Sequence, residues 1–269
     1  MKRARFLFPR PPQHRALRVS LSLLLLPLAL EGPLPAATIF FYPPAENGTP
    51  KTQPEADQTA ASLENGAAPS SDPVERVNRG IFAFNHQLYR FVLRPLGRVT
   101  ETLLTKPVLK ALDRAFENVD APVRVVGSLM QGKPQRALLE TEKLLVNTTL
   151  GVGGLFKASD RFERYRSIPK EDVGQAFGHW GIPSGPYLVL PVLGPSSSRD
   201  LVGKAADIAL NPITWLPHTT LRNSIAGGRA LEQNPAQMRA YDQTIEGAVD
   251  RYIAVREGYL SYRAEAVRR

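Results

Sequence analysis

A chain of 269 residues with 43% hydrophobic composition holds enough apolar material for one or two sizeable cores. It has no cysteine, which excludes a disulfide framework, a thiolate nucleophile and a zinc–thiolate site. The formal charge of +9 invites a nucleic-acid reading, but six basic residues and one acid precede Thr38, so only +4 lies beyond Ala37. A mature chain so mildly basic, with Lys and Arg not clustered among aromatics, argues against nucleic-acid binding.

The first 37 residues read as an address. Lys2, Arg3, Arg5, Arg10, Arg15 and Arg18 form a basic stretch, and Val19–Leu30 (VSLSLLLLPLAL) is an apolar run of the usual signal-peptide length. It is too short for an ordinary spanning helix and contains Pro27. Small residues at Ala36-Ala37 suit a cleavage site. Residues 38–71 are rich in Pro, Ala, Thr, Glu, Asn and Gly without apolar period, so a disordered linker is expected there.

Residues 72–269 read as the folded domain. Asp72-Pro73-Val74-Glu75 predicts a helix start, with Asp72 as N-cap, Pro73 at the first position and Glu75 closing a capping box. Val74, Val77, Ile81, Phe84, Leu88 and Phe91 recur at three and four, and Pro95 is expected to end the helix. Phe82, Tyr89 and Val92 widen the apolar surface, which suits a helix covered on two sides as well as one facing lipid. Pro107, Pro122 and Pro134 each open a further helix, the last with Leu138, Leu139, Leu145 and Val146 as its apolar residues. Ser197 is expected to cap a helix over Ser198–Leu210 with Asp200 at its third position. Leu221–Leu231 and Pro235–Ala266 read as helices, with Tyr241, Ile245, Val249, Tyr252 and Leu260 buried and Arg251, Glu257 and Arg263 in water. The fold class is all-α, a single helical domain, with a small irregular or β-hairpin insertion at residues 174–195.

Candidates for chemistry are few. Gly127–Pro134 (GSLMQGKP) almost spells a phosphate-binding loop, but Pro134 stands where magnesium needs a hydroxyl; a glycine helix end followed by a proline helix start explains the same letters. Gly151-Val-Gly-Gly154 lacks dinucleotide spacing and reads as a turn, with Gly153 and Gly154 as a possible hinge. His14, His86, His179 and His218 have no metal-ligand spacing, and no hydrolase elbow surrounds Ser184 or Ser196–Ser198. No catalytic, cofactor or metal residues are therefore assigned, and an enzyme is not expected. Arg199-Asp200 admits two accounts: a first-turn carboxylate beside a solvated Arg, or an Arg placed at a phosphate headgroup.

The most informative stretch is Gly174–Asp200. Its centre, Pro186–Pro195, is nearly all apolar and is broken by Pro191, so it suits an edge strand or irregular tongue introduced by His179-Trp180. GPYLVLPVLGPSSSRD at 185–200 resembles the signature of the MlaA/VacJ phospholipid-transport family of Gram-negative outer membranes. Further similar segments follow in family order: SDPVERVNRGIFAFN at 71–85, LMQGKPQRA at 129–137, LLVNTTLGVGGLF at 144–156 and YIAVREGYLSYR at 252–263. The resemblance implies a ring-like helical body in the inner leaflet of the outer membrane, with an amphipathic channel. It implies intermembrane phospholipid transport: lipids leave the outer leaflet and pass to a periplasmic carrier, beside a trimeric porin, which keeps the membrane asymmetric. On that basis Tyr187, Leu188, Val189, Leu190, Val192 and Leu193 are expected to touch lipid or line the channel, with Trp180 at the interface and Arg199 at a headgroup. The family's lipid-bearing cysteine has no counterpart in this sequence. Its own apolar surface, a retained leader or a misassigned start each account for that. The alternative function is an envelope adaptor that carries no lipid.

Overall fold

The computed structural model describes residues 72–166 and 168–269; the expected leader and the expected linker lie outside them. Helix α1 runs Glu75–Leu88 and begins later than the expected cap. Asp72 does not cap it, because its carboxylate is spent on longer-range partners: Asn78 Nδ2 at 3.0 Å and the hydroxyl of Tyr252. Glu75 bonds Arg79 at 2.7 Å, so no capping box forms.

Pro95 does not end the helix either. A π turn over Tyr89–Leu93 carries α1 into α2 (Arg94–Leu103), and the Arg94 N–H reaches back five residues to the Tyr89 carbonyl. The wider turn gives the proline ring, which has no N–H and would crowd the carbonyl four residues back, a place near the start of α2.

Helices α3 (Lys106–Val119), α4 (Ala121–Met130) and α5 (Pro134–Thr149) each carry proline in the first turn, as the sequence predicts. The start of the apolar tongue is helical: α6 spans Val173–His179, capped by Asp172, whose carboxylate accepts from the Gln175 N–H at 2.7 Å. A hairpin follows, β1 (Tyr187–Leu190) antiparallel to β2 (Gly194–Ser197), with Tyr187 opposite Ser197 and Leu190 opposite Gly194. Pro191 lies in the turn, where no ladder bond is needed. α7 is Ser198–Leu210, and Ser197 caps it by accepting from the Asp200 N–H at 3.2 Å, as expected.

The two C-terminal helices divide elsewhere than predicted. α8 runs Thr219–Ile245 straight through Pro235, and the break comes at Gly247, whose φ is +72°. Packing overrides the proline here. Asn234 donates to the Leu93 carbonyl at 3.0 Å, and Met238 lies so close to Gly97 of α2 that a Cβ there would have to displace its side chain. α9 is Arg251–Arg268, capped by Asp250. Tyr252 is buried as expected, but Val249 is fully exposed and Arg263 is largely buried among carboxylates instead of facing water.

The helices close a circuit: α3 packs on α8, α8 on α9, α9 on α6, α6 on α4, and α4 back on α3. α5 backs α4, α7 backs α6, and α2 lies on α8. Gly203 of α7 meets Gly174 of α6 backbone to backbone, with 2.5 Å between the place of a Gly203 Cβ and the Gly174 Cα. The buried apolar residues form two clusters rich in tyrosine, Tyr89 with Tyr241 and Val255, and Tyr187 and Val189 with Tyr252 and Tyr259.

α1 buries only part of its apolar stripe, Ile81 and Leu88. Asn78 and Asn85 are 2% and 3% exposed, whereas Phe84 and Phe91 are 54% and 68% exposed. The asparagines, two turns apart on one face, act as a substitute strand along the free edge of β1. Asn78 donates to the Tyr187 carbonyl and accepts from the Val189 N–H, both at 2.9 Å; Asn85 donates to the Leu190 carbonyl at 2.9 Å and accepts from the Val192 N–H at 2.8 Å. Val192 is thereby held at φ 66°, a left-handed conformation unusual for a β-branched residue. Asn78→Leu leaves a buried N–H and a buried C=O unpaired and is expected to destabilise the fold by about 2 kcal/mol or more. Denaturant titration in mild detergent checks this.

Candidate functional site

The outer surface carries the apolar side chains that would ordinarily form a core. Val77, Phe84, Phe91 and Leu103 are exposed along α1, the π turn and α2, and Leu138 and Leu145 are exposed on α5. Leu150, Val152, Leu155 and Phe156 extend the patch beyond α5. Among the described residues no helix is long and apolar enough to cross a membrane.

Charged groups lie between the helices. Arg124 of α4 donates to Glu140 of α5 at 2.9 Å, and both are buried. Glu117 of α3 lies between Lys170 at 2.8 Å and Lys157 at 2.9 Å; desolvation opposes its charge, but the two ammonium groups outweigh it and hold the carboxyl at about 2. Asp113, one turn earlier, is open to water, yet desolvation and then Glu117 push its carboxyl up. Desolvation likewise lowers Lys143 and Lys204.

Where α6, α7 and α9 meet, one guanidinium serves two carboxylates. Arg263 donates to Asp172 at 2.6 and 3.1 Å and to Asp200 at 3.0 and 2.9 Å, and the Tyr259 hydroxyl donates to Asp200 at 2.6 Å. Desolvation works against Asp200, but Arg263 outweighs it and holds the carboxyl at about 2. Asp207 accepts from the Val173 N–H at 3.1 Å and is pushed up to about 7, first by desolvation and then by Asp172.

The structure distributes the residues singled out in the sequence. Trp180 is half exposed and its indole N–H donates to the Met130 carbonyl at 2.7 Å. Tyr187 and Val189 point inward under Tyr252 and Tyr259, whereas Leu188, Leu190, Val192 and Leu193 are partly exposed. A cavity of about 10 Å³ lies beneath the hairpin, room for one water and not for an acyl chain. Arg199 is not solvated: its side chain is largely buried and donates to Asp200 at 3.1 Å and to the Ile182 carbonyl at 3.3 Å. Gly153 and Gly154 both have positive φ, and a side chain at Gly154 would stand 2.6 Å from Asn118 Cβ. The near-P-loop is a helix end: Gly132 has φ +69°, and Lys133 is spent on Glu171 at 3.2 Å and on Gln131. Sequence reasoning passed over Asn78, Asn85, Asp113, Glu232 and the buried role of Arg263. The asparagines carried a visible signal, polar residues seven apart inside an otherwise apolar helix.

These features define a class, an all-α body with large apolar side chains exposed and charged ones buried between its helices. The profile of the MlaA lipoprotein family matches residues 70–266, and the chain belongs to that family. It is 30% identical over 193 residues to the intermembrane phospholipid transport system lipoprotein MlaA of Escherichia coli K12, covering 70% of this chain and 75% of that one. A protein of Rickettsia felis is 32% identical over 197 residues, 72% of this chain and 76% of its own. A solved structure described as the structural basis for maintenance of bacterial outer membrane lipid asymmetry matches with TM-score 0.64 and 26% identity, covering 73% of this chain and 99% of that chain.

The carboxylates give opposite pH signs. Asp200 is held low, so its contribution is present above its ordinary value of 3.8 and is lost as pH falls through about 2. Asp207 is held high, so its contribution is complete below 3.8 and is lost as pH rises through about 7. Asp207→Asn is expected to flatten the fall in stability between these two values and to leave the acid limb in place. Melting temperatures measured across that range test it.

Proposed function

We propose that this chain is an intermembrane phospholipid transporter seated in the periplasmic side of the outer membrane. There it takes phospholipids from the outer leaflet and so maintains lipid asymmetry. One observation carries the reading: large apolar side chains such as Phe84, Phe91 and Leu138 are exposed, while charged ones such as Arg124, Glu140 and Asp200 are buried between the helices. An exterior of exposed Phe and Leu is stable only against something apolar, and an acyl layer supplies that. A charged, water-reached interior gives a headgroup a route while acyl chains stay with the apolar surface. The relatives named as phospholipid transport lipoproteins support the same reading.

In this reading Leu188, Leu190, Val192 and Leu193 meet acyl chains, and Tyr187 and Val189 brace them from within. Trp180 sits at the interface, where one end of the ring is apolar and the other wet. Arg199, spent on Asp200, steadies the hairpin base near the headgroup path. Gly153 and Gly154 hinge the apolar segment beyond α5. A periplasmic carrier accepts the lipid, a trimeric porin holds the ring in place, and the signal peptide exports the chain.

The test is to express the full chain, purify it from outer-membrane fractions in mild detergent and identify bound lipid by mass spectrometry. Co-purified phospholipid supports transport; a soluble, lipid-free periplasmic protein supports the adaptor. The double variant Phe84→Asp, Phe91→Asp is expected to lower partitioning into phospholipid vesicles by roughly tenfold or more, since it removes two large apolar side chains from the contact. Vesicle flotation measures it.

A further inference from the structure

Helix α8 forms one wall of the circuit. Between residues 222 and 232 it carries four buried side-chain atoms without a hydrogen-bond partner among the described residues: Arg222 Nε, Asn223 Oδ1, Arg229 Nε and Glu232 Oε2. The other such atoms, on Ser128, Glu140, Ser159 and Tyr187, are scattered singly over other elements. Buried polar groups are normally paired, so a run of unspent donors and acceptors along one wall is what a polar ligand would use.

Glu232 is the centre of this run. It is 8% exposed and makes no hydrogen bond or ion pair among the described residues. The charged groups around it are Asp113 and Glu117 of α3, which packs against α8, and Arg229 one turn away on α8 itself. Two of these are already engaged. Glu117 is held by Lys157 and Lys170, and both terminal nitrogens of Arg229 are given to Asp120, Nη1 at 2.8 Å. That leaves Glu232 of α8 and Asp113 of the adjacent α3 as two carboxyl groups close enough to repel, and the Nε–H of Arg229, one turn from Glu232, as an unspent donor. No group of three or more acidic or histidine side chains among the described residues is placed to hold a metal ion.

We propose that Glu232 and Asp113 receive the ammonium of an ethanolamine phospholipid headgroup as the lipid passes the ring, while Arg229 Nε–H meets its phosphate. An ammonium carries three donors, enough for both carboxylates, and in this headgroup it stands two carbons from the phosphate ester oxygen. Arg229 and Glu232, three apart on a helix, are neighbours on one face, so a single short headgroup spans both. Burial raises the Glu232 carboxyl to about 8, and an arriving cation restores its charged form. The inference rests on the lipid-transport reading and adds a headgroup preference to it.

The experiment loads the purified full chain from vesicles of equimolar phosphatidylethanolamine and phosphatidylglycerol and reads the bound lipids by mass spectrometry. Wild type is expected to be enriched in the ethanolamine lipid. Glu232→Gln, of the same shape, and Asp113→Asn, at a water-reached position, are each expected to lower the ethanolamine-to-glycerol ratio by about tenfold, the loss of one charge-assisted contact. Lipid bound in an unselective wild type, or bound to both variants at the wild-type ratio, overturns the headgroup site and leaves transport standing. No phospholipid on any of the proteins overturns both.

Discussion

The ring is held closed at Arg263. One guanidinium near the end of α9 donates to Asp172, the cap of α6, and to Asp200 in the first turn of α7, so three helices converge on five donors in a fixed plane. Arg199 adds a second guanidinium to Asp200, at 3.1 Å. Removing one member of such a buried pair costs about 3–5 kcal/mol, because the remaining charge is stranded. The circuit from α3 through α8, α9, α6 and α4 has its α9–α6 contact at this point. Its polar interior depends on that closure.

The same accounting explains why the hairpin survives beside an apolar exterior. A two-stranded sheet has a free edge, and in apolar surroundings every N–H and C=O on it needs a partner. Asn78 and Asn85 supply those partners from α1, which forces their face inward and turns Phe84 and Phe91 outward. The apolar surface is thus a consequence of satisfying the strand. Tyrosines complete the interior for a related reason: most pair an aromatic body with a hydroxyl that finds a polar end, as Tyr89 does with Asp242 and Tyr259 with Asp200, while the Tyr187 hydroxyl is left without a partner among the described residues.

Much of the fold is legible in the letters where the deciding forces are local. Pro107, Pro122 and Pro134 mark helix starts, Ser197 and Asp200 mark a cap, and the apolar run ending at Gly194 gives the hairpin. Errors fall where distant contacts outweigh local preference. Asp72 abandons its cap for Tyr252, Pro95 is absorbed by a π turn, and Pro235 is tolerated because Asn234 and Met238 are fixed against α2. The apolar stripe of α1 was read correctly as a stripe, but the spacing alone does not say which side is solvent, lipid or core. The Asp113–Glu232 pairing and the Arg263 node each form only through tertiary packing, since each residue lies far along the chain from its partners. No short motif announces them.

The central claim is that lipid lies outside the ring and water inside it. Because the chain has no cysteine, single cysteines can be introduced and spin-labelled without background. Labels at Phe84, Phe91 and Leu138, read in phospholipid bilayers by power-saturation spectroscopy, are predicted to be open to oxygen and shielded from a water-soluble nickel chelate. A label at Asp113 is predicted to show the reverse. Nickel accessibility at all four positions, unchanged from detergent-free solution, would contradict the account.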